Sequence, residues 1–191
     1  MVKKSATVMF LFVGLFGIWM GGCETQEQKI ERLIKQLGHK KVKVRVSAAR
    51  TLGDGLIGEG AVDAVPALIK ALQDPEVRWY AAGALGSIRS KDAVPSLIQV
   101  LQDKDEYVRG SGRAAWALGQ IGSKDAVHAL IQALEDQNSQ VRGIAARALG
   151  LGSIGEGAID AVPALIKALQ DKDEYVRVDA EWALRQIQQK H

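Results

Sequence analysis

The stretch Lys91–Asp103 reads Lys-Asp-Ala-Val-Pro-Ser-Leu-Ile-Gln-Val-Leu-Gln-Asp, and it returns with few changes at Val62–Asp74, Lys124–Asp136 and Ile159–Asp171. Each copy is followed by a Val-Arg pair and then by an Ala-rich segment that closes on Ala-Leu. Self-similarity at a period of about 30–35 residues marks stacked-repeat architectures, in which one small unit cannot bury its apolar face without a neighbour. A longer duplication lies on top of this one. Gly55–Asp74 and Gly152–Asp171 differ only at Leu56/Ser153 and Val62/Ile159, so a block of several repeats reads as copied, which favours repeated structure over a unique catalytic pocket.

Within the unit, Val65, Leu68, Ile69 and Leu72 fall at i, i+3, i+4 and i+7 and line one helix face. Asp63, Asp92, Asp125 and Asp160 stand where an N-cap is wanted. Pro66, Pro95 and Pro163 follow in the first turn, where a missing N–H costs nothing, and His128 takes that place in the fourth copy. This is the first helix of a pair. The second begins after a short polar loop, with Asp74-Pro75, Asp105, Asn138 and Asp173 as its caps. Its apolar face is Val141, Ala145, Ala148 and Leu149 in one copy and Val176, Ala180, Ala183 and Leu184 in another. Small alanines let antiparallel helices approach closely. No segment alternates with period two, so the reading is all α, with helix pairs near 25–53, 62–88, 92–121, 125–151 and 159–189. Lys40-Lys41 replaces an acidic cap in the first pair, and the last pair ends in Gln186, Gln188, Gln189 and Lys190, as polar terminal repeats require. Two fewer residues between Leu72 and Val77 predict a tight turn in the second pair. Two more between Arg109 and Leu118, around Gly110-Ser111-Gly112, predict a late or kinked second helix in the third.

The Asp-Ala-Val-Pro-x-Leu-Ile-x-x-Leu-x-Asp helix, the Val-Arg opening and the Ala-Ala-x-Ala-Leu-Gly close resemble the HEAT-like repeat of the phycobilisome-lyase type. The resemblance covers nearly all of 23–191. It implies a right-handed α-solenoid with first helices on the convex side and second helices on the concave side, in a family of many binding proteins and a minority of enzymes.

Residues 1–22 read as a targeting segment, with Lys3 and Lys4 ahead of an apolar run from Val8 to Met20 and Gly21-Gly22 before Cys23. Met20-Gly21-Gly22-Cys23 resembles the lipobox of bacterial lipoproteins, which implies cleavage after Gly22 and a lipid on Cys23. An uncleaved anchor and a free Cys23 thiol in an ordinary signal peptide are the competing readings, and for the first Ala6–Gly22 is short against the roughly 20 residues that a spanning helix needs. Thr25-Gln26-Glu27-Gln28 is a capping-box pattern, so the array starts only a residue or two from the lipid, facing away from the cytoplasm at a membrane surface. Beyond Cys23 the chain carries 23 basic and 22 acidic residues, which argues against nucleic-acid binding. Cys23 is the only cysteine, excluding disulfides and a multi-cysteine metal site.

Several motifs have plain structural readings. Gly53–Gly58 and Gly150–Gly155 match G-x-G-x-x-G but follow helices, not strands. They read as inter-repeat loops in which glycine supplies positive φ at the end of the second helix. Arg45, Arg78, Arg109, Arg142 and Arg177 recur at one repeat position and, with Asp74, Asp103, Asp136 and Asp171, read as a ladder along the turns. His39, His128 and His191 are scattered. Deoxyhypusine hydroxylase, an iron enzyme of the wider HEAT-like class, uses His-Glu pairs, but His39 precedes Lys40 and His128 precedes Ala129. A phycobilin-lyase role fits poorly with an extracytoplasmic anchor. No metal, cofactor or small-molecule substrate is called for.

Function is sought instead in what varies between units. Two residues before each terminal leucine of the second helix stand Arg50, Gly83, Trp116, Arg147 and Trp182, about 200° around the helix from that leucine. Trp79, Tyr80, Arg113 and Asp179 share the face. Either Trp79, Tyr80, Arg113, Trp116, Arg147 and Trp182 form an exposed ridge for a protein partner, since Trp, Tyr and Arg dominate binding hot spots, or the tryptophans fill gaps between Ala-rich helices. The expectation is a membrane-anchored interaction scaffold without enzymatic activity, with an oxidoreductase or lyase role as the alternative.

Overall fold

The structure is a computed structural model and describes residues 24–54, 58–103 and 112–189. Cys23, Asp105, Arg109, Gly110, Ser111 and His191 lie outside the described residues. Among the described residues there are no strands, and ten α-helices run in five pairs. They are α1 Gln26–Leu37 and α2 Val42–Gly53, α3 Val65–Ala71 and α4 Arg78–Ile88, and α5 Val94–Leu101 and α6 Arg113–Ile121. The fourth pair is α7 Lys124–Ala133 and α8 Ser139–Leu149, and the fifth is α9 Val162–Ala168 and α10 Glu174–Gln188. The chain is an all-α solenoid.

Proline decides how each first helix begins. Short 3-10 segments at Gly58–Ala64, Lys91–Ala93 and Gly152–Ala161 lead into α3, α5 and α9, each of which has proline in its opening turn. Proline has no N–H for an α-type bond and disfavours the α region in the residue before it, so the α ladder cannot extend backwards through it. With His128 in that place, α7 runs unbroken from Lys124. The expected aspartate caps are not formed: the N-cap positions of α3, α5 and α9 are Ala64, Ala93 and Ala161, without a side-chain bond. The cap of α7 is Ser123, whose Oγ accepts from the Ala126 N–H at 3.2 Å. Asp92 and Asp125 instead lie in the first turns, where negative charge suits the helix dipole.

The other cap expectations divide. Thr25 and Gln28 form the reciprocal capping box, and Asn138 and Asp173 cap α8 and α10. Asp74 caps a turn one step earlier, accepting from the Glu76 N–H at 3.1 Å, because α4 starts only at Arg78. In the third pair, α6 starts at Arg113, directly after Gly112 in the left-handed region (φ 60°).

A fully enclosed leucine fixes the core in eight of the ten helices described. Leu68, Leu97, Leu130 and Leu165 of the first helices are fully enclosed, as are Leu52, Leu85, Leu118 and Leu149 of the second. Each contributes roughly 1.5–3 kcal/mol of burial.

Neighbouring second helices touch backbone to backbone. A Cβ added at Gly53, Gly86, Gly119 or Gly150 would lie 2.9, 2.8, 2.9 or 2.7 Å from an atom of Ala84, Ala117, Ala148 or Ala183 in the next pair. This corrects the positive-φ reading of Gly53 and Gly150. Gly53 is the last residue of α2 and Gly150 has φ −80°, whereas left-handed helix ends occur at Arg89 (φ 57°) and Gly122 (φ 65°). Glycine is needed there for closeness, not for conformational freedom. The chain α2–α4–α6–α8–α10 therefore forms the more tightly spaced layer, and in a curved two-layer stack that layer is the inner one.

The arginine position ties pairs together at their turns. Arg142 Nε and Nη2 donate to Asp171 Oδ2 and Oδ1 at 2.7 and 2.8 Å, while Nη1 donates to the carbonyls of Asp136 and Gln137 at 2.9 and 3.0 Å. Arg45 repeats the pattern with Asp74 (2.7 Å) and the carbonyls of His39 and Lys40. Arg78 and Arg177 donate to the carbonyls of Leu72 and Asp171 at 2.6 and 2.7 Å. Among the described residues, each of these four arginines closes its own turn, and Arg45 and Arg142 also reach the aspartate of the following turn.

Candidate partner-binding face

The inner face of the second helices is set by register. Because leucine points to the core, residues two and five positions before it point the other way. The five pairs place Arg50 with Ser47, Gly83 with Tyr80, Trp116 with Arg113, Arg147 with Ile144, and Trp182 with Asp179 at those two positions.

The six candidate residues do not share one environment. Trp79 is 43% exposed, while Tyr80, Trp116 and Trp182 are partly buried against the core. Trp116 lies close over Gly86 and Trp182 over Gly150, since a Cβ at those glycines would stand 2.9 and 2.7 Å from the ring carbon Cζ3. Those two rings therefore both line the face and fill the groove left by the preceding helix. Trp79 meets Tyr80 edge to face, with centroids 4.9 Å apart.

The arginines are held by the rings. Arg113 Cζ lies 3.8 Å from the Trp79 centroid and 5.1 Å from that of Trp116, and Arg147 Cζ lies 5.7 Å from the Trp182 centroid. Ring faces attract the guanidinium, most closely for Arg113 over Trp79. Arg147 also pairs with Asp179 at 3.0 Å. Burial pushes the Asp179 carboxyl above its ordinary value, against the pull of Arg147, and burial lowers Arg113. The ridge thus has an open, cationic part around Trp79 and Arg113, and a neutralised part around Arg147 and Asp179.

Between the second helices of the first three pairs lies a groove of about 440 Å³, lined by Arg50, Asp54, Trp79, Gly83, Arg113 and Trp116 among others. The sequence placed Arg50 and Gly83 on this face but did not show that Gly83 opens it. The signal was present: Gly83 alone lacks a side chain where the other pairs carry Arg or Trp. Asp54 at the rim was not foreseen, because it follows the helix and its equivalent in the duplicated block, Leu151, is apolar.

His39 Nδ1 accepts from the Lys41 N–H at 3.0 Å and His128 Nε2 lies 3.2 Å from Gln132 Nε2, both exposed. Among the described residues no group of His, Cys, Asp and Glu could hold a metal ion, and no helix is long and apolar enough to cross a membrane.

A family model described as HEAT repeats matches residues 30–112 and 111–185. No curated protein matches at a significant level. Among solved structures, the complex of CpcE and CpcF of phycocyanin lyase from Nostoc sp. PCC7120 is similar at 29% identity and a TM-score of 0.67, over 99% of this chain and 70% of that one. An engineered protein is similar at 28% identity and a TM-score of 0.56, over 83% and 78%. A designed armadillo repeat protein in complex with the peptide (KR)4 shares the fold at 21% identity and a TM-score of 0.57, over 96% and 95%.

Proposed function

Because the chain belongs to the HEAT-repeat family, we propose that it is a scaffold that binds a protein partner through the inner face of its second helices, held at a bacterial membrane surface by lipid on Cys23. The observation that carries the reading is Trp79, a large ring left 43% exposed on a face otherwise shared by ordered Arg–Trp contacts. An exposed Trp beside an Arg is the composition of a binding hot spot, and the open part of the Trp79 ring is left for a partner. The armadillo relative holds a peptide and the CpcE chain is seen in complex with CpcF, which supports the same use of this fold.

The anchor rests on the lipobox resemblance of Met20–Cys23. Glu24, directly after Cys23, is clamped to α1 by a two-pronged pair with Arg32 at 2.7 and 2.8 Å. The solenoid would thus sit against the bilayer, without a stalk. One experiment tests both parts: crosslinking in membranes followed by identification of captured proteins, for the unaltered chain, Trp79→Ala and Cys23→Ala. Trp79→Ala should lose the main captured partner, and Cys23→Ala should abolish labelling by a fatty-acid analogue and leave a longer, unprocessed chain. An unchanged partner set removes the binding reading, and persistent labelling removes the anchor. A second reading, a subunit of a chromophore lyase, draws on the likeness to the phycocyanin lyase complex, and bilin transfer to a phycobiliprotein with purified components would establish it.

A further inference from the structure

The groove between the second helices of the first three pairs contains two arginines, Arg50 and Arg113, that no carboxylate among the described residues pairs with. Arg113 lies across Gly83, with its Cδ and Nε 3.5 Å from where a Cβ of Gly83 would stand, and its guanidinium face rests on Trp79. Stacking occupies the face of the guanidinium and leaves its in-plane N–H groups for an acceptor. Among the described residues no carboxylate pairs with Arg113 or with Arg50. Asp179, the acid on the same inner face, is taken by Arg147 at 3.0 Å. Asp54 is exposed at the rim, so the groove keeps a surplus of positive charge.

Arg113 is partly buried while Arg50 is exposed, so it is the Arg113 N–H groups that gain most from an acceptor, and a carboxylate is the acceptor that a planar fork fits best. We propose that this groove binds an extended acidic peptide segment, with one Glu or Asp carboxylate taken two-pronged by the edge of Arg113, a second acidic side chain toward Arg50, and an intervening apolar side chain against Trp79. The assignment rests on the reading of this face as the binding face and names its partner chemistry. A basic segment would meet like charge. A nucleic-acid backbone would need a longer basic stripe than two arginines beside an aspartate in a nearly neutral chain.

The test is fluorescence anisotropy of the purified chain from Cys23 onward with a labelled eight-residue peptide of alternating Glu and Leu, at about 50 mM salt, where surface charge is weakly screened. Binding should fall roughly tenfold or more when Gln replaces Glu in the peptide, and likewise in Arg113→Gln. Arg113→Lys keeps the charge without the fork and should recover only part of the affinity. Lys70→Gln, on the exposed side of α3, should bind as the unaltered chain does, and all variants should melt alike. Equal binding of the Gln peptide, an unaffected Arg113→Gln, absence of binding to either peptide, or preferential binding of oligo-dT would each overturn the assignment. If Trp79-dependent capture in membranes persists in those cases, the acidic class fails while the scaffold reading stands.

Discussion

Arg142 and Asp171, 29 residues apart in sequence, meet in a two-pronged ion pair whose side chains are only 7% and 12% exposed. The same guanidinium also holds two carbonyls of its own turn, so all three of its nitrogens are used. Removing one partner strands a nearly buried charge. Asp171→Asn should therefore cost about 3 kcal/mol in urea unfolding. Asp74→Asn, which loosens the more exposed Arg45 pair, should cost about 1 kcal/mol. Equal losses would mean that burial of the pair does not govern its worth.

The pair also sets a pH dependence. Asp171 is held below the usual carboxylate range by its hydrogen bond from Arg142, with burial acting in the opposite direction. A carboxyl depressed in the folded state stabilises above its unfolded value, about 3.9, and that contribution is lost as pH falls through the folded value. The stability gap between the unaltered chain and Asp171→Asn should be full at pH 7 and shrink below about pH 4. A gap that stays constant down to pH 2 would remove the linkage.

The repeat made the fold legible, because a recurring i, i+3, i+4, i+7 stripe and an Ala-Leu close leave few ways to bury both faces. What the sequence could not show is how two helices divide one loop. Asp63 and Asp160 looked like caps, yet proline three positions later moved the α-helix start past them. Gly53 and Gly150 looked like left-handed ends because each follows the terminal leucine of its second helix. Their reason lies in Ala84 and Ala183, a repeat away, which a local reading cannot see. The candidate face was legible as a register. The contact of Arg113 with Trp79 joins two pairs and depends on the empty place at Gly83, so only the assembled stack reveals it.

Two glycines of α4 separate these causes. At Gly83 an added methyl would meet Arg113 at 3.5 Å, ordinary contact. At Gly86 it would meet Ala117 and Trp116 at 2.8 to 2.9 Å. Glycine inside a helix normally costs roughly 0.5–1 kcal/mol relative to alanine. Gly83→Ala should thus be neutral or gain up to that amount. Gly86→Ala should lose about 1–3 kcal/mol through overpacking. Thermal melts of the two variants side by side decide it, and a stabilised Gly86→Ala would show that the helices part at little cost.

The duplicated block supplies its own control for the worth of a neighbour. Leu72 and Leu169 occupy the same place in two nearly identical segments, Gly55–Asp74 and Gly152–Asp171. Leu72 is fully enclosed, and its helix α3 packs against the Lys91–Ala93 turn that opens the third pair. Leu169 is 37% exposed, and nearby Ile166 is 54% exposed. The helix sequences being nearly equal, the difference follows from the third pair stacked on α3 and from the shorter loop after Leu72. Leu72→Ala should cost about 3 kcal/mol through transfer and cavity terms. Leu169→Ala should cost under about 1 kcal/mol, since a half-open site leaves little cavity. Urea unfolding of both variants at low protein concentration gives the comparison. Equal and large losses would mean that Leu169 is covered in solution by something that the single chain does not supply.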